Sequence, residues 1–172
     1  MTFKSWWQQF LGSPSPAPPV VEVAPVIPPS LEVARRRCWI PVVGDGDDTI
    51  IVSRFGGPPL LPPGAGWPPC GNCGRPLALF VQLASRELPP DAGHPFGEGT
   101  LQVFYCLSEE GSCETDAEAY APFSKAVLVR VLPPGVGAPS PVRGEAFFTG
   151  FIVSWTVAED FPHYGDQEDL GI

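Results

Sequence analysis

Six of the twelve residues from Pro58 to Pro69 are proline, and nothing else in the chain restricts its fold as much. Proline has no amide proton to donate and a fixed φ, so a run this dense can be neither a helix interior nor a central strand. The segment "FGGPPLLPPGAGWPPCGNCG", residues 55–74, therefore reads as an ordered irregular loop. Gly56 and Gly57 fit positions of positive φ or close backbone approach, and Trp67 is large enough to anchor the loop on a sheet. Seven further prolines between residues 14 and 29 favour extended polyproline geometry and read as a linker.

Prolines (24) and glycines (19) make up a quarter of the 172 residues, a level at which low-complexity disorder becomes a serious reading. An apolar content of 44% argues against it. The apolar residues fall in short β-prone runs, "CWIPVV", "TIIVS", "LALFVQL", "LQVFYC", "AVLVRVL" and "FFTGFIVSW", separated by turn residues. The expected fold is mainly β (α+β), with short antiparallel strands, long Pro/Gly-rich loops and a zinc-knuckle-like loop. Phe3, Trp6, Trp7 and Phe10 recur at helical spacing. The expected organisation is a short helix at 1–12, a Pro-rich linker at 13–34 and a β-rich domain at 35–172. "GDGDDT" lacks the downstream glutamate of a calcium loop and reads as a hairpin turn.

With ten basic and nineteen acidic residues the net charge is −9, which repels phosphate backbones and suits a basic protein partner. Nucleic acid is not expected as a ligand. No window approaches the ~20 apolar residues of a membrane span. The first residues also lack the continuous apolar stretch of a secretory signal, so the expected location is the reducing cytoplasm.

Cys70 and Cys73 stand in C-x2-C spacing, and Cys106 and Cys113 follow in C-x6-C spacing. Four thiolates are the number a closed tetrahedral zinc site requires. If "LALFVQL" and "LQVFYC" pair antiparallel, the start of the first meets the end of the second, which brings Cys70, Cys73 and Cys106 together. Cys113 carries the looser spacing. Two other readings stay open: plain reduced thiols, and redox chemistry at Cys70 and Cys73, which would benefit from a following helix that Gly74 and Pro76 discourage. Cys38 reads as a strand residue. His94 and His163 lie beside prolines in loops, and no nucleophile elbow, P-loop or zincin motif is present.

The series "SRFGGPPLLPPGAGWPPCGNCGRPLALFVQLASRELP", "GTLQVFYC" and "FIVSWTVAEDFPHYGDQEDLGI" resembles the bacterial YwqG-like family of unknown function over residues 35–172. It is more distantly similar to the eukaryotic programmed-cell-death-2 family in its G-G-x-P, C-x-x-C-G-x-P and Q-L elements. The bacterial resemblance covers the first half of longer members, so the chain is expected to be a half-size member or a fragment. It implies a mostly β fold and a binding role. The eukaryotic family implies chaperone-like holding of a basic protein.

The resulting expectation is a non-enzymatic protein-binding module with structural zinc on Cys70, Cys73, Cys106 and Cys113. Leu60, Leu61 and Trp67, held in a rigid loop, are the expected protein-binding residues. The alternatives are a thiol-disulfide oxidoreductase working through Cys70 and Cys73, and an immunity or antitoxin-type protein.

Overall fold

The computed structural model describes residues 27–47, 52–109, 113, 124–144 and 146–162. The chain divides into two compact units, Arg36–Asp160 and a second made of Met1–Arg35 with Phe161–Ile172. In the second unit a single helical turn spans Pro29–Glu32, within the stretch expected as linker. Pro29 opens it with its φ already helical, as suits a first helical position. Arg35 closes it by pairing with Glu32 and lies 5.6 Å over the Phe161 ring. The helix expected at residues 1–12 lies outside the described residues.

Among its described residues the larger unit has eight strands: β1 (Arg36–Gly44), β2 (Arg54–Phe55), β3 (Leu60–Leu61), β4 (Ala78–Ala84), β5 (Thr100–Tyr105), β6 (Val127–Leu132), β7 (Ala138–Pro139) and β8 (Gly150–Asp160). Six form one sheet in the order β1-β8-β2-β4-β5-β6 with every pair antiparallel. The mainly β reading holds. Of the expected runs, "TIIVS" falls largely outside the described residues.

Proline sets the order as the sequence requires. Pro41 sits on the edge strand β1, where a missing amide costs least. The Pro-rich loop contributes only Leu60–Leu61, which leaves the main sheet and pairs with Ala138–Pro139 as a two-residue ribbon. Just before it, Gly56 and Gly57 take positive φ, and a Cβ on Gly56 would collide with the Phe148 carbonyl. That close approach ends β2 after two residues.

The hairpin turn expected at "GDGDDT" falls partly outside the described residues; among them, β1 and β2 both pair with β8, which lies between them. An eleven-residue strand can bond the whole of β1 along one edge and still receive β2 on the other.

The two faces of the sheet differ. On one, Phe80 meets Phe55, Tyr105 and Phe147 edge to face at 5.4 to 6.1 Å, and the β4 bulge at Leu79/Val81 admits Phe80 as the extra residue. On the other, register aligns Arg54, Gln82, Gln102 and Arg130 across β2, β4, β5 and β6. The first three of these are fully buried.

Amide geometry satisfies the two glutamines of that row. Gln82 Nε2 donates to the Val52 carbonyl at 2.9 Å, and its Oε1 accepts from the Leu60 amide at 3.0 Å and from Gln102 Nε2. Gln102 Nε2 also reaches the Leu60 carbonyl at 2.8 Å, and Gln102 Oε1 accepts from Arg130 Nε at 2.8 Å. Leu60 in the Pro-rich loop thus gives both backbone groups to two buried glutamines. Buried amides are costly unless paired, so a satisfied network of this kind fixes one loop position.

Candidate metal centre

Cys70 and Cys73 lie at the tip of a small knuckle between Trp67 and Leu77. Its arms close through the Pro69–Pro76 bridge and the Leu77 amide, which donates to the Pro68 carbonyl at 2.9 Å. At the tip the Cys70 amide donates to the Arg75 carbonyl at 2.7 Å, and the Gly74 amide donates to the Cys70 carbonyl at 2.9 Å. The Asn72 amide points at Cys70 Sγ from 3.4 Å. Gly74 has φ +73°, the turn that this spacing of glycines predicts.

The knuckle docks on the turn that precedes β6. The Gly71 amide donates to the Lys125 carbonyl at 2.9 Å, and a Cβ on Gly71 would stand 3.0 Å from Lys125 Cβ. Only glycine permits this approach without displacing Lys125. The Trp67 indole N–H donates to the Leu77 carbonyl at 2.8 Å and braces the knuckle's base.

Cys106 follows β5 and its amide donates to the Ala126 carbonyl at 2.8 Å. As expected, β4 and β5 are antiparallel neighbours, with Ala78 opposite Tyr105, so both ends arrive at one corner. Cys113 completes the group: all four Sγ atoms lie within 4.8 Å of one another. Cys73 and Cys106 are 3.6 Å apart, and Cys70 and Cys113 are 3.8 Å apart. With Zn–S bonds of about 2.3 Å, the edge of a tetrahedral four-sulfur site is ~3.8 Å, which these spacings match. A disulfide needs about 2.05 Å, and none of the described cysteines is bonded to another.

The cluster is also the hydrophobic core. Cys70, Cys106 and Cys113 are buried with Leu77, Leu79, Phe104 and Ala126, while Cys73 and Leu128 pack at its margin. Burial and hydrogen bonding pull the thiols in opposite directions. Burial pushes Cys113 up to about 12 and raises Cys106, whereas at Cys73 a backbone hydrogen bond from Arg75 outweighs burial and pulls the thiol down to about 7. A bound cation would convert that arrangement into four ligand bonds.

The residues present fit a soft divalent metal, and with four thiolates no coordination position is left for water or substrate. Cys38 lies half-buried on β1, outside the cluster. Spacing pointed to the four cysteines that converge, but not to the Lys125 and Ala126 carbonyls that accept from the Gly71 and Cys106 amides.

Leu60, Leu61 and Trp67 make intramolecular contacts. Leu61 is buried, Leu60 is fixed by both glutamines, and Trp67 is half-buried with its N–H occupied. The most exposed aliphatic side chain on β6 is Val129, 60% exposed, with Val131 two residues on at 46%.

One arrangement imitates a catalytic set. Ser85 Oγ lies 3.1 Å from His94 Nδ1, and Glu98 lies 3.4 Å from the same nitrogen. A triad needs nucleophile and carboxylate on opposite imidazole nitrogens, so these residues do not form a relay.

Residues 53–132 match the sequence profile of a domain of unknown function (DUF1963), a span that contains the knuckle, β2 to β6 and all four cluster cysteines. No curated protein matches the chain. Among the described residues no helix is long and apolar enough to cross a membrane.

Proposed function

We propose that this chain is a non-enzymatic protein-binding module whose β domain is closed by structural zinc on Cys70, Cys73, Cys106 and Cys113. The observation that carries the reading is the convergence of four sulfurs within 4.8 Å of one another inside the core, two pairs of them at 3.6 and 3.8 Å. Zinc is preferred over other soft divalent ions because it favours closed four-thiolate sites without redox chemistry. Such a site belongs in a reducing compartment such as the cytoplasm.

The partner is a basic polypeptide, in keeping with the net charge of −9. Its contact surface is the exposed apolar side of β6, where Val129 and Val131 stand at the sheet edge. Chaperone-like holding of a basic protein is the fuller form of this reading. Against thiol-disulfide exchange, the residues after Cys70 form a turn and a bridge instead of the helix that would activate the thiol.

Elemental analysis of freshly purified, reduced protein tests the site, with about one zinc per chain expected. Affinity capture from the source cell, paired with V129E/V131E, tests the surface. Loss of a basic protein from the captured set, at unchanged melting temperature, is the expected result. A captured set indifferent to both charges would remove β6 from the proposal.

A further inference from the structure

A cavity of about 210 Å³ lies against the thiol cluster, lined by Arg75, Pro76, Cys106, Leu107, Ser108 and Gly144. It is large for a water-sized molecule and has one cluster cysteine in its wall. The other approach is Cys73, the only one of the four that is not fully buried. These two sulfurs stand 3.6 Å apart. Cys70 and Cys113 sit behind them, 3% and 0% exposed.

We infer that Cys73 and Cys106 form an oxidation site at which hydrogen peroxide makes a disulfide and expels the metal. The inference rests on the zinc-bound reading above. In the first step the Cys73 sulfur donates an electron pair to one peroxide oxygen and the O–O bond breaks. Hydroxide leaves and takes a proton, and Cys73 becomes a sulfenic acid. In the second step the Cys106 sulfur attacks Cys73 sulfur, the S–O bond breaks, and the departing hydroxide takes a second proton. Two thiolates, one peroxide and two protons give one disulfide and two waters.

The sulfurs must close from 3.6 Å to the ~2.05 Å of a disulfide, a movement that the turn at Cys73 can supply and the β5-anchored Cys106 need not. The metal then keeps only Cys70 and Cys113, half of its ligands, and dissociates. Burial makes the order specific: the inner pair has comparable spacing at 3.8 Å but no access.

The test uses the full-length holoprotein, with metal content measured first, then titrated with hydrogen peroxide in the presence of a chromogenic zinc chelator. Peptide mapping follows. About one metal ion released per peroxide consumed, with Cys73 linked to Cys106, is expected. Cys38→Ser should behave identically. Cys106→His keeps four ligands while removing the resolving sulfur, so a sulfenic acid at Cys73, trappable with dimedone, should replace the disulfide. Metal retained while peroxide is consumed, or release accompanied by a Cys70–Cys113 link, overturns the inference and leaves the zinc reading standing. Protein that carries no metal at the outset overturns both.

Discussion

The Pro-rich loop is fastened at two places by different physics. At Leu60 two buried glutamines hold its backbone, and at the knuckle four thiols converge behind it. The glutamine row is complete in itself, because each amide donor and acceptor has a protein partner at hydrogen-bonding distance. The thiol end differs, since two sulfur pairs stand at distances that a shared metal would span and burial disfavours Cys106 and Cys113 as free anions. One fastening should therefore be independent of conditions, and the other should depend on metal, acid and oxidant.

The largest effect is expected from breaking the thiol end. Cys113→Ala or strong chelation removes a ligand set whose apparent binding free energy is on the order of 10 kcal/mol. Because the same residues form the core, melting temperature should fall steeply and tryptophan fluorescence from Trp67 should change. A melting curve unmoved by chelation would mean that the core holds without metal.

Acid should act next, and only on this end. Folded Cys106 and Cys113 hold their protons more tightly than ordinary thiols, so binding zinc near neutral pH must displace both. Proton release couples affinity to pH with a fixed sign: each unit of acidification should weaken binding by about a hundredfold or more. Cys73, at about 7, adds a further proton as pH falls below neutrality. Zinc retention measured from pH 8 to 5 should fall with that steepness. A shallow, single-proton dependence would show that fewer thiols take part.

The glutamine row should give a smaller and differently shaped response. Gln102→Leu leaves the Leu60 carbonyl and Arg130 Nε without partners. Arg130 Nη2 is already buried without a hydrogen-bond partner among the described residues, and burial already pulls this guanidinium below its ordinary value. The expected cost is about 2–4 kcal/mol, with zinc content unchanged. Loss of zinc from Gln102→Leu would show that the two fastenings are coupled.

These two ends also differ in how far the sequence betrays them. Cysteine is scarce and its spacing is chemical information, so the cluster could be read from Cys70, Cys73, Cys106 and Cys113 together with the antiparallel pairing of two adjacent runs. Gln82 and Gln102 carry no such mark. In "LALFVQL" and "LQVFYC" they look like the solvent-facing members of alternating strands, although Gln102 shares the parity of the fully buried Phe104. The insertion of β8 between β1 and β2 was equally hidden, because it joins residues over a hundred positions apart and local pattern does not encode partner choice. The β3–β7 ribbon is too short for any periodicity.

Trp67 offers the finest test of the comparison, since it braces the knuckle with a neutral hydrogen bond of the kind that secures Leu60. Its indole N–H reaches the Leu77 carbonyl at 2.8 Å while its ring stays half-buried. Trp67→Phe keeps most of the ring and removes the donor, so the expected cost is about 1 kcal/mol, with a melting shift of roughly 2–4 °C for a domain of this size. The shift should be larger in zinc-free protein, where the knuckle has lost its ligand bonds and the indole contact bears more of the loop's order. Equal shifts with and without zinc would mean that the base of the knuckle is held by packing alone, and that metal organises only its tip.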